Sequence, residues 1–211
     1  EINKEKKASS LIEVINKKHS GKIIGHLSDK LKLLNKPIGL DIEDHKDKSK
    51  KMIFKKIDAF SFMSKTKITF DLILIKQTIH LLKKKQIINL LSICKDKLNP
   101  NGKIIILSLD PIKNEIPTFF LFKKKLDDSL RRDKKLFDTI FSFDKKIIIK
   151  NFIFQVKISK IKYLQMIKNK YISTLLNFTN RQIEIGLNEI KNNYKEKLIF
   201  RDKLICFIIK K

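Results

Sequence analysis

Phe70-Asp71-Leu72-Ile73-Leu74-Ile75-Lys76-Gln77-Thr78-Ile79-His80 is the stretch that decides the fold. Its first six residues are apolar except Asp71, leaving no polar side for solvent, which is how a central parallel strand covered on both faces reads. A helix from about Lys83 to Leu98 follows, because Ile87, Leu90, Leu91, Cys94 and Leu98 recur at the spacing of one helical face. Asn99-Pro100-Asn101-Gly102 is a turn signal, with the glycine available for a positive φ, and Lys103 to Leu109 is a second apolar strand. Strand, helix, turn and strand in this order make a βα unit, and the rest of the chain repeats the alternation.

Toward the N-terminus, Leu11, Ile12, Val14 and Ile15 predict a helix over Ser9 to Lys17. A short strand, Lys22 to Ile24, meets Gly25, and Leu27, Leu31 and Leu34 give His26 to Leu34 a helical spacing. Pro37 to Ile42 and Met52 to Ile57 read as buried strands that end on carboxylates, Asp41 and Asp58. Toward the C-terminus, Pro117 to Phe143 reads as one or two amphipathic helices and Ile147 to Val156 as a sixth strand. Helices are predicted at Ser159 to Leu176 and Asn180 to Tyr194, with Ser159 and Thr179 or Asn180 as caps, before a last strand at Leu198 to Ile209. Seven strands with helices between them predict a single α/β domain over 1–211, its core at about 20–157 and 197–211 and helical cover elements at about 116–143 and 158–195.

Composition narrows the class. A chain of 211 residues supports one large core. No apolar run reaches the ~18 residues of a membrane span, and the polar opening EINKEKKASS lacks the apolar stretch of a secretory signal. Cys94 and Cys206 lie in apolar runs without metal-ligand spacing, and His19, His26 and His45 form no ligand set with them, so reduced core thiols, no metal and a cytoplasmic location are expected. The formal charge of +26 invites a nucleic-acid partner, yet all but four of the 48 basic residues are lysines spread along the whole chain. That is a solvated surface rather than a concentrated site with arginine forks, and nucleic acid is not the favoured partner.

In an open parallel sheet, ligands bind beyond the carboxyl ends of the strands. A carboxylate closing the second strand, as Asp41 does, offers two acceptor oxygens that match a vicinal diol. Asp58 closes the third strand, where it can accept from an amino group while the Ala59 backbone donates to a ring. Equally, such aspartates cap the next turn or helix. The run from Phe70 through His80, the helix and Leu98-Asn-Pro-Asn-Gly102 into Lys103-Ile-Ile-Ile106 resembles the fourth-to-fifth strand segment of class I S-adenosylmethionine-dependent methyltransferases. Gly39-Leu-Asp41-Ile42 and Lys56-Ile-Asp58-Ala59-Phe60 resemble that family's ribose- and adenine-binding strand ends, and Tyr171 to Leu176 with the elements after it resembles the tail of small-molecule members.

The resemblance spans roughly Ser20 to Lys211. It implies a Rossmann-like, doubly wound, mostly parallel seven-stranded sheet with helical lid elements near the C-terminus. It also implies S-adenosylmethionine as cofactor, S-adenosylhomocysteine as product and a small-molecule methyl acceptor, moved by in-line transfer in a lidded pocket. The implied cofactor residues are Gly25, His26, Asp41, Ile42, Asp58, Ala59, Lys76 and Gln77, with His80 as the general base. The family's glycine-rich GxGxG loop is reduced here to Gly25 in Lys22-Ile-Ile-Gly25-His26-Leu27. That departure keeps a catalytically silent methyltransferase-like subunit among the readings, and the lysine-rich surface keeps an RNA or protein methyltransferase there.

Overall fold

The computed structural model describes residues 10–14, 28–30, 32–44, 50–112 and 114–211. Seven strands form a mixed sheet in the order β3-β2-β1-β4-β5-β7-β6. They are β1 (Leu11–Val14), β2 (Ile38–Asp41), β3 (Ile53–Lys56), β4 (Phe70–Lys76), β5 (Leu98–Leu109), β6 (Ile148–Ser159) and β7 (Lys197–Lys210). The helices are α1 (Ala59–Lys65), α2 (Lys84–Asp96), α3 (Phe120–Phe143), α4 (Lys160–Lys168) and α5 (Asn180–Asn193), with 3-10 turns at Ile79–Leu81 and Ser173–Asn177. The chain divides into two compact units, one of 1–108, 136–150 and 206–211, the other of 109–135 and 151–205.

In the first unit β1 lies parallel between β2 and β4, with β3 beyond β2 and β5 beyond β4. Partners in register point to the same side, so β1 splits its residues between two faces. Leu11 joins Leu72, Leu74, Ile105, Phe54 and Met52 in one apolar cluster. Ile12 and Val14 point the other way with Ile73, Ile75, Ile104 and Ile106, all buried. Each such aliphatic side chain is worth about 1.5–3 kcal/mol when removed from water. Helix α2 buries the stripe Ile87, Leu90, Leu91 and Cys94 that the spacing predicted. At the amino ends of the strands Asp71 accepts from the Ser10 backbone at 3.0 Å and from Asn99 Nδ2 at 2.9 Å, tying β1, β4 and β5 together.

Two sequence expectations are corrected here. Residues 11–14 are not helical but form β1, in the middle of the parallel sheet. Asn99 to Gly102 is not a turn outside the strand but a bulge within β5, since Phe70 faces Leu98 while Leu72 faces Lys103. Asn101, not the glycine, takes the positive φ of 68°. Gly102 is required for a different reason: a Cβ there would lie 2.9 Å from the Asn99 carbonyl and 3.0 Å from that of Phe70, both rigid backbone.

The second unit has its own core. Phe122, Leu126 and Leu130 of α3 pack with Tyr163 and Ile167 of α4, Leu175, and Ile183, Leu187 and Ile190 of α5. Ser159 caps α4 and Thr179 caps α5 through a reciprocal pair with Gln182. The expected helix over Ser159 to Leu176 stops at Lys168 and resumes as the 3-10 turn, with Lys170 at a φ of 50° between them. Phe119 and Phe178 meet edge to face at 5.6 Å. Two tyrosines secure the segment before α3: the buried Tyr163 hydroxyl donates to the Pro117 carbonyl, and the Tyr194 hydroxyl donates to Thr118 O and accepts from Thr118 N, each at 3.0 Å.

Candidate functional site

The carboxyl ends of β1, β2 and β4 bring together three charged side chains in the first unit. Register pairs Glu13 with Gly39 and with Leu74, so Asp41 and Lys76, each two residues further along, share its face. Below them, on the same face, lies the Leu11, Leu72, Leu74 and Ile105 cluster. An apolar floor under a row of charge at the strand ends is what a polar ligand with an organic body requires.

Burial sets the electrostatics of this row. Glu13 is 1% exposed, Asp41 5% and Lys76 9%. Desolvation lifts the Glu13 carboxyl from 4.5 to about 7, and the Lys76 ammonium nearby pulls against that rise. Among the described residues Glu13 Oε2 has no hydrogen-bond partner. Asp41 Oδ1 accepts from the Glu43 backbone at 3.1 Å, turning the chain at the end of β2. A ligand carrying a cation or an N–H would satisfy that oxygen, which no described residue engages.

The other expected residues fall as follows. Asp58 is the N-cap of α1, with Oδ1 accepting from Ser61 N at 3.0 Å. The hydrogen bonds from Ser61 hold its carboxyl below the usual range. Ala59 is the first residue of that helix. Ile42, just past Asp41, is 59% exposed. Lys76 is the last residue of β4, and Gln77 leaves the strand at a φ of 49° while its N–H donates to Leu107 O at 2.8 Å. Thr78 donates to Lys76 O at 3.0 Å. His80, half-buried, sits in the 3-10 turn Ile79–Leu81. Gly25 and His26, with the expected strand Lys22 to Ile24, lie outside the described residues.

Sequence reasoning missed Glu13. The signal was present: Leu11-Ile12-Glu13-Val14 is a short apolar run carrying a carboxylate, the same pattern that singled out Asp41.

No protein-family model matches the sequence, and no curated protein matches it. Solved structures do match the backbone. A SAM-dependent methyltransferase from Archaeoglobus fulgidus superposes with a TM-score of 0.55 at 18% identity, covering 96% of this chain and 86% of that one. The plantazolicin methyltransferase BpumL, in complex with a pentazolic desmethylPZN analog and SAH, gives 0.51 at 16% identity, over 96% of this chain and 77% of that one. The Haemonchus contortus phosphoethanolamine N-methyltransferase 2, in complex with phosphomonomethylethanolamine and S-adenosylhomocysteine, gives 0.51 at 13% identity, over 96% of this chain and 48% of that one. The chain has a methyltransferase fold. At these identities the likeness is one of architecture, and within the methyltransferase fold the row of Glu13, Asp41 and Lys76 occupies the carboxyl edge of the parallel strands, the edge at which such open sheets bind ligands.

Proposed function

We propose that the chain is an S-adenosylmethionine-dependent methyltransferase that passes the methyl group to a small-molecule acceptor and releases S-adenosylhomocysteine. The observation that carries this reading is the buried row of Glu13, Asp41 and Lys76 on one face at the strand ends of a sheet of methyltransferase type. Its residues suit the cofactor. Asp41 offers carboxylate oxygens to a ribose diol, and Glu13 offers an ammonium group a buried oxygen that no described residue engages. Asp58 and the Ala59 backbone at the end of the neighbouring strand are assigned to the base, and Lys76 and Gln77 to contacts beside the sulfur. Gly25, His26 and Ile42 complete the proposed contacts.

When bound, the cofactor supplies an electrophilic methyl group on a sulfonium. What the chain supplies is orientation, exclusion of water by the apolar floor and, for an acceptor that must lose a proton, a base. His80 is the proposed base, supported by its place in the turn directly after β4. A small acceptor is supported by the neighbours solved with such ligands, BpumL with a desmethylPZN analog and the Haemonchus enzyme with phosphomonomethylethanolamine.

The test is calorimetric titration of the chain with S-adenosylmethionine and S-adenosylhomocysteine, alongside Asp41→Ala. Micromolar binding that the variant loses while keeping its circular dichroism is the expected result. A folded wild-type chain that binds neither ligand overturns the reading in favour of a silent methyltransferase-like subunit.

A further inference from the structure

β6 stands at one end of the strand order, so its outer edge presents backbone N–H and C=O groups that no described strand pairs. Edge strands are ordinarily short, broken by proline or crowded with charge. This one runs for 12 residues without proline, and Ile148, Ile149, Phe152, Ile153 and Phe154 are between 38% and 60% exposed. The rings of Phe152 and Phe154 stack at 6.4 Å and 10° in solvent, spending their best contact on each other. Ile148, Phe152 and Phe154 alternate with Ile149 and Ile153, so apolar side chains stand exposed on both faces of this edge strand.

We propose that β6 pairs antiparallel with β6 of a second copy of this chain, about a two-fold axis at Ile153. In that register Ile153 faces itself, and Phe152 of each copy lies opposite Phe154 of the other, giving two cross-strand aromatic pairs on one face. On the opposite face Asn151 meets Gln155, amide against amide. Lys150 faces Val156 and Lys157 faces Ile149, so no two lysines of the strand oppose one another. A shift of two residues either way leaves one phenylalanine pair instead of two, which fixes the register. The centre of the strand, 151–156, carries no charge, so two chains of formal charge +26 meet where neither is charged. Pairing the two edges satisfies the outward backbone groups of both strands and sets the aromatic pairs side by side, so the association rests on the ladder and the rings.

The remaining lysines repel across the axis, so salt strengthens this association. An acidic peptide on the same edge would show the opposite dependence. Sedimentation equilibrium of the full chain, from low to high micromolar and at low and high salt, is expected to show a dimer whose Kd falls several-fold as salt rises. Ile153→Lys sets two ammonium groups against each other on the axis and is expected to raise Kd about a hundredfold. Ile161→Lys, at a 77% exposed position on α4, leaves it unchanged.

As a register test that does not depend on the charged variant folding, Ile153→Cys forms an intermolecular disulfide on oxidation, because directly opposed residues lie about 4.5–5.5 Å apart. Phe152→Cys, displaced from the axis, does not, and the native Cys94 and Cys206 are buried. A monomer at every concentration and salt, a dimer indifferent to Ile153→Lys, or equal cross-linking by the two cysteine variants overturns the proposal.

Discussion

Replacing Glu13 with glutamine keeps the shape of the side chain and removes its titration. In the unfolded chain this carboxyl titrates near 4.5, and in the fold burial raises it to about 7. Below the unfolded value the group is protonated in both states and its stabilising share is fully present. As pH rises through the folded value, the native state must ionise a group that is 1% exposed, and that share is lost. From 4.5 to about 7, at about 1.4 kcal/mol per unit, the loss reaches about 3 kcal/mol by pH 8. For a chain of 211 residues this corresponds to roughly 6–12 °C in Tm. Thermal melts followed by circular dichroism between pH 5 and pH 8 should therefore show a decline in the wild type that Glu13→Gln largely lacks. Binding moves the other way, since the variant loses the negative charge offered to a cationic ligand. Parallel pH profiles in the two proteins would refute the reasoning, because they would mean that the carboxyl is ionised throughout and better solvated than its burial implies.

Tyr163→Phe deletes the donor to the buried Pro117 carbonyl and is expected to cost about 1–3 kcal/mol, read as a lower denaturant midpoint with unchanged m-value. Gly102→Ala drives a Cβ against two backbone carbonyls in the β5 bulge, and a loss of about 1–3 kcal/mol by the same measurement is expected, with larger losses for bulkier residues.

Much of this architecture is legible in the sequence, and the exceptions share a cause. β4 and α2 are plain because a long apolar strand and a four-position stripe each satisfy one periodicity and violate the other. β1 is not. A four-residue strand covered on both faces shows no alternation, so Leu11, Ile12 and Val14 match a helical turn as well as a strand, and only the pairing with β2 and β4 decides. Glu13 was lost with that strand, although Asp41, Lys76 and Gln77 came to the sheet edge where their strand-end positions put them. Phe119, Phe122, Tyr163 and Phe178 are buried together, because a short chain that must build a second core uses its largest apolar side chains there first. The edge of β6 shows in sequence only as an apolar run, and strand order alone tells a strand left at the border from one buried in the middle.

The three tyrosines of the chain, Tyr163, Tyr171 and Tyr194, all belong to the second unit, and there is no tryptophan. Near-ultraviolet excitation of this protein therefore illuminates one half of it. Emission reports the unit of α4 and α5, while far-ultraviolet ellipticity averages over every strand and helix, and overlaying the two melting curves tells whether both halves come apart as one cooperative body or in succession.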